Sequence, residues 1–142
     1  MYKTKYFKIQ ELVANSVLQS IGENNCWLRL DPQCLKDLDK IRAIWGSPLF
    51  INTFEHQNRG LRHFNTTEGA KFSTHKQGTT FDLVPKNGKY WELWNVVHEL
   101  IKNGELKGFN TMEDRTQTPT WVHVGKMNTI EKPLIIKWKK GK

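Results

Sequence analysis

Five histidines are spread along this chain of 142 residues, and two of them, His75 and His123, stand apart from the rest. His123 lies in Trp121-Val122-His123-Val124, whose alternation is that of a strand. Alternation puts His123 and Trp121 on one face, and Val122 and Val124 on the other. His75 lies in Ser73-Thr74-His75-Lys76-Gln77-Gly78, and Asp82 follows in Phe81-Asp82-Leu83-Val84. Gly78 allows the backbone to turn between them. A carboxylate flanked by apolar residues needs a partner, because burying an unpaired charge is expensive. That partner can be a metal ion, a Lys or Arg, or backbone amides. Two histidines and one carboxylate are the donor set of a catalytic zinc, which keeps a fourth position for water. On residue types alone this reading and that of ordinary hydrogen-bonded histidines both stay open. His98, among apolar positions of a helix, and His56 and His63, in a polar loop, have no partner at metal-ligand spacing and read as ordinary.

The elements that must position these residues are legible in part. Asp31 is a good N-cap and Pro32 suits the first helical position. Leu35, Leu38, Ile41, Ile44 and Trp45 then mark one buried helical face, which Gly46 and Pro48 end. Leu49 to Asn52 reads as a short strand. From Glu55 to Gln77 the chain is polar, with few apolar anchors, and a loop that long in a compact domain is usually functional. Thr79 to Val84 reads as a strand, and Pro85 to Gly88 as a turn. Tyr90 to Lys102 reads as a second helix, whose stripe of Trp91, Trp94, Val97, Leu100 and Ile101 is expected in the core. Trp121 to Val124 and Leu134 to Trp138 complete the strands. The N-terminal part has scattered apolar positions and reads as short irregular elements. Helices and strands mix without a βαβ rhythm, so the expected fold is α+β, a single domain over residues 1–142 with an antiparallel sheet.

The totals restrict the partners. Lys and Arg number 22 against 14 Asp and Glu, a formal charge of +8. Such a surface favours nucleic acid, anionic lipid or an acidic wall polymer. No nucleic-acid motif accompanies the charge, so no nucleic-acid partner is expected. No apolar run approaches the roughly 20 residues of a membrane helix. Residues 1–10 hold no secretory apolar stretch, so the expectation is a chain made in a cytoplasm and released by other means. Cys26 and Cys34 form no metal or redox spacing and read as free thiols.

The stretch from Gly69 to Leu83 resembles the signature Ser-x-His-x-x-Gly-x-x-x-Asp of the zinc D-alanyl-D-alanine carboxypeptidase family. That family includes phage endolysins and shares its metal-site fold with the signalling domain of Hedgehog proteins. The resemblance extends in order along the chain. Phe7 to Leu12 is similar to the family's opening, Leu35 to Trp45 to its helix, and Leu49 to Thr53 to the strand leading to the site. Gly60-Leu61-Arg62 is similar to its Ser-Gly-Phe/Tyr-Arg, and Trp121 to Val124 to its second histidine motif.

The resemblance implies that His75, Asp82 and His123 bind Zn2+, that Arg62 holds a substrate carboxylate or oxyanion, and that Ser73 hydrogen-bonds the substrate. Many members place a general-base Glu three residues before the last histidine, where this chain has Thr120. Phage relatives carry it at the end of the preceding strand, where Glu113 stands, with Asp114 as the next choice. The implied activity is hydrolysis of a peptide bond in bacterial peptidoglycan stem peptides by a monomeric phage lysis enzyme acting on the wall after release. The other reading is a non-catalytic zinc module of a phage particle with the same fold.

Overall fold

The computed structural model describes residues 1–63 and 74–137. Ser73, Trp138 and the Lys-rich end of the chain therefore lie outside the described residues. The N-terminal part folds as three short helices rather than irregular pieces: α1 (Ile9–Leu12), α2 (Asn15–Ile21) and α3 (Glu23–Arg29). Helices this short are marginal alone. They are held by burying Ile9, Leu12, Val17, Cys26 and Trp27 in the common core.

Helix α4 (Pro32–Trp45) begins where the sequence caps it. Asp31 Oδ1 accepts hydrogen bonds from Gln33 N at 2.9 Å and Cys34 N at 3.0 Å. Gly46 closes the helix in the left-handed region, at φ 76°. Leu35, Leu38 and Ile41 are buried as expected, but Ile44 is exposed. Steps of three residues fall short of a 3.6-residue turn, so the stripe rotates by about 60° per step and leaves the core by Ile44. The helix also buries two carboxylates. Asp37 Oδ2 accepts from Gly108 N and Phe109 N, both at 2.8 Å, and Asp39 Oδ2 accepts from Tyr2 Oη at 2.6 Å and Lys5 N at 2.8 Å.

Helix α5 (Tyr90–Lys102) buries Leu93, Val97, Leu100 and Ile101. The expected stripe is corrected at its start. Leu93 takes the core position, Trp94 is partly buried, and Trp91 is 48% exposed. The Arg115 guanidinium lies over the exposed Trp91 ring, 4.5 Å from its centre, in cation–π range.

Five strands form one sheet: β1 (Leu49–Phe50), β2 (Thr80–Pro85), β3 (Thr111–Glu113), β4 (Val122–Gly125) and β5 (Leu134–Ile136), in the order β1-β2-β4-β3-β5. The pairs β1–β2, β2–β4 and β3–β4 are antiparallel, but β5 runs parallel to β3. The sheet is therefore mixed, not purely antiparallel. Strand β4 is already paired on both edges by β2 and β3. The chain leaving Gly125 must pass the start of β3 to reach its free edge, and entering from that end makes β5 parallel to it. Phe81, Leu83, Val122, Val124 and Met112 are buried, so one face of the sheet joins the core, with α5 packed on β2 and β4.

Gly60 lies where two backbones nearly touch. Leu61 N donates to Leu12 O at 2.8 Å, and Ala14 N donates to Leu61 O at 2.8 Å. A Cβ on residue 60 would meet the Leu12 carbonyl oxygen at 2.1 Å. Gly60→Ala is therefore expected to destabilise the protein by about 2–3 kcal/mol in urea unfolding, whereas Gly104, open but at φ 73°, should lose only the about 1 kcal/mol that a left-handed backbone costs alanine. Equal costs at the two positions would contradict the close approach.

Candidate metal centre

Sheet register builds the site. Asp82 on β2 pairs with His123 on β4. On the other side of β4, Met112 pairs with Val124, and the next step in that register sets Glu113 opposite His123. Side chains directly opposite one another share a face. Asp82, His123 and Glu113 thus form a row across three adjacent strands, on the face turned away from the apolar one. His75 joins them from a 3-10 turn (Thr74–Gln77) just before β2. Gly78 makes the junction. It has φ 73°, and a Cβ there would meet Arg29 O at 2.1 Å.

The polar atoms converge. His123 Nδ1 is 2.8 Å from Asp82 Oδ1, His75 Nε2 is 3.3 Å from Asp82 Oδ2, and His123 Nδ1 is 3.6 Å from Glu113 Oε1. Among the described residues, His75, Asp82 and His123 offer ligand atoms within 4.8 Å of one another. Zinc ligands sit at about 2.0–2.1 Å from the ion, which puts tetrahedral neighbours about 3.3 Å apart. The observed spacings suit a cation of that size. His75 Nδ1 is 3.2 Å from Gly60 O, which can only accept, so Nδ1–H donates there. Nε2 then faces Asp82 Oδ2, and a proton or a metal ion on Nε2 satisfies that pairing. Two imidazoles and one carboxylate are a donor set that suits a divalent transition-metal ion such as zinc.

The charges are strongly coupled. Burial pushes the Asp82 carboxyl up, but hydrogen bonds from His123 and His75 and their charges outweigh it and hold it well below the usual carboxylate range. Burial pushes His123 down, yet its bond to Asp82 and the negative charges of Asp82 and Glu113 prevail over burial and over Arg62, and raise it. Arg62 is thus close enough to act on His123. Its backbone N–H donates to His75 O at 3.2 Å, and its Nε donates to Asn58 O at 2.7 Å.

The two candidate bases separate. Glu113 faces His123, while Asp114 Oδ1 accepts from Thr116 N at 2.9 Å and from the Thr116 hydroxyl, turned into its own loop. Thr120 is exposed in the turn before β4 and brings no carboxylate to the site. His56 is exposed, and His98 stacks on Trp94 with ring centres 5.0 Å apart. Sequence reasoning missed two supports. Trp94 Nε1 donates to Glu113 O at 3.0 Å and so fixes the strand end that bears Glu113. Asn52 holds the Arg59–Gly60 backbone, and no sequence signal singled it out. Cys26 and Cys34 are both free and buried, apart from the site.

These shifts give the metal-free protein a stability maximum. His123, raised in the folded state, contributes stability in full below its ordinary value of 6.5 and loses it as pH rises through the folded value. Asp82, lowered in the folded state, contributes in full above 3.8 and loses it as pH falls through the folded value. Melting of metal-free protein is expected to be highest between those limits and to decline above pH 6.5. Zinc affinity should rise over that same alkaline range, because the ion must displace the His123 proton. A zinc affinity that does not change with pH there would contradict the coupling.

No curated protein and no solved structure matches the chain. A sequence profile described as Peptidase M15 does match, over residues 5–125, which contain all of the converging residues. With that match and this geometry together, the chain belongs to the peptidase M15 family of metallopeptidases, the family of the zinc D-alanyl-D-alanine carboxypeptidases.

Proposed function

We propose that this chain is a zinc-dependent peptidase that hydrolyses a peptide bond in bacterial peptidoglycan stem peptides, of the D-Ala-D-Ala carboxypeptidase or L-Ala-D-Glu endopeptidase type. The observation that carries this reading is the row of Asp82, His123 and Glu113 on one sheet face, with His75 closing it. Zinc held by His75, Asp82 and His123 would supply a water acidified to about pKa 7 and a Lewis acid for the scissile carbonyl.

The protein's own groups supply the rest. Glu113 sits beside the donor set without belonging to it, as a general base must. Its carboxylate would take the proton of the attacking water and return it to the leaving amine. Arg62, whose charge acts on His123, carries a permanently charged, planar fork suited to a substrate carboxylate or to the developing oxyanion. Ser73 is proposed as a further hydrogen-bond partner of the substrate. No covalent intermediate is required, and both cysteines are buried. The charge of +8 suits an anionic wall. Among the described residues no helix is long and apolar enough to cross a membrane. A phage lysis enzyme that works as a monomer and reaches the wall after release fits these properties.

The test is incubation of zinc-loaded protein with purified peptidoglycan, with mass spectrometry of the released fragments. Wild type should release one defined stem-peptide fragment, and His75→Ala should release none. Glu113→Gln should keep its zinc and lose turnover by about 10²–10⁴-fold. Arg62→Ala should lower kcat/KM by about 10²–10³-fold with zinc retained. Zinc-loaded wild type that cleaves no wall chemotype would favour the alternative of a non-catalytic zinc module of a phage particle.

A further inference from the structure

One side-chain oxygen supports the backbone behind two of the converging residues. Asn52 Oδ1 accepts hydrogen bonds from two consecutive amides, Arg59 N at 2.9 Å and Gly60 N at 3.1 Å. The carbonyls of those same two residues point at the metal centre's own residues. Arg59 O accepts from Asp82 N at 2.7 Å, and Gly60 O accepts from His75 Nδ1 at 3.2 Å. Asn52 is itself anchored, because its backbone N–H donates to Glu11 O at 2.8 Å and it is only 4% exposed.

We propose that Asn52 is a positioning residue of the metal centre: by holding the Arg59–Gly60 backbone it sets where Asp82 stands and which nitrogen of His75 is left for the metal. The inference rests on the metal-binding part of the proposed function and not on the peptidase reaction.

Three physical points support it. Arg59 and Gly60 lie outside helix and strand, so their amides have no ladder partner and need another acceptor. A carboxamide oxygen has two lone pairs and can serve both amides at once. Next, an imidazole that donates Nδ1–H to a fixed carbonyl has its ring held so that the other nitrogen is presented to the ion, and loss of such outer support typically costs metal affinity. Finally, the two halves of the Asn52 carboxamide differ. Its oxygen makes both bonds, whereas Nδ2 is buried with no hydrogen-bond partner among the described residues. A donor left unsatisfied is a cost, so the oxygen is the part that the site uses. Aspartate keeps such an oxygen and leucine does not.

The experiment is zinc titration of folded, metal-free protein against a competing chelator, for wild type, Asn52→Asp, Asn52→Leu and Leu100→Ala. Leu100 is buried in α5, and its truncation serves as a control that lowers stability without touching the site. Asn52→Leu should weaken zinc binding by about 10–100-fold, Asn52→Asp should restore it to near the wild-type value, and Leu100→Ala should bind as wild type despite a lower melting temperature. Wild-type affinity in Asn52→Leu, or a loss in Asn52→Asp as large as in Asn52→Leu, would overturn the proposal. A parallel loss in Leu100→Ala would do the same, by showing that general stability sets the affinity. If Asn52→Leu does not fold, amide exchange of the metal-free wild type decides. Slow exchange at Arg59 and Gly60 supports the bonds, and exchange as fast as at exposed loop amides overturns them. Wild type that binds no zinc would sink the metal reading, and this inference with it. A zinc-binding wild type beside an equally tight Asn52→Leu would sink this inference alone.

Discussion

Asp82 places a negative charge on a central strand of the sheet, buried between two imidazoles, and the arrangement around it follows from the need to satisfy that charge. Removing one partner of such a buried group typically costs about 3–5 kcal/mol. Both of its oxygens are engaged, one by His123 and one by His75. Protons between the carboxylate and the two imidazoles satisfy it in the metal-free protein, and a bound cation would take their place.

Position is supplied by two different devices. Three of the site's four side chains come from strand register, which is stiff, because a slip by one residue would turn Asp82 or His123 into the core. The fourth, His75, comes from a loop and needs separate support. Gly78 lets the chain turn tightly against Arg29, and the Arg59–Gly60 backbone meets both His75 and the start of Asp82. Gly60 can serve there because it lacks a side chain, and so can lie against Leu12. Trp94 adds a third support by bonding the carbonyl of Glu113 from the side of α5.

Much of this could be read from the sequence where the signal is local. Asp31-Pro32 and Gly46 mark both ends of α4, and the stripe of α5 marks its length, because caps and periodicity act within a few residues. Asp82 and His123 stand out because polar groups in apolar runs demand partners, and His75 because Gly78 and Asp82 follow it so closely. What was not legible depends on contacts far apart in the chain. The parallel pairing of β5 follows from the order in which strand edges are filled. The exposed positions of Ile44 and Trp91 follow from where the core ends. The roles of Asp37, Asp39 and Asn52 depend on backbone amides brought to them from distant segments. No spacing rule reports those, since each is an ordinary polar residue until its partner arrives. That Glu113 faces His123 while Asp114 turns into its own loop likewise depends on the register of β3 on β4.

Zinc-edge X-ray absorption of protein loaded with one equivalent of metal decides whether His75, Asp82 and His123 hold zinc. Nitrogen and oxygen neighbours at about 2.0–2.1 Å, the outer scattering of two imidazoles, and no sulfur are expected. A sulfur shell at about 2.3 Å would place the metal on Cys26 or Cys34 and overturn the ligand assignment.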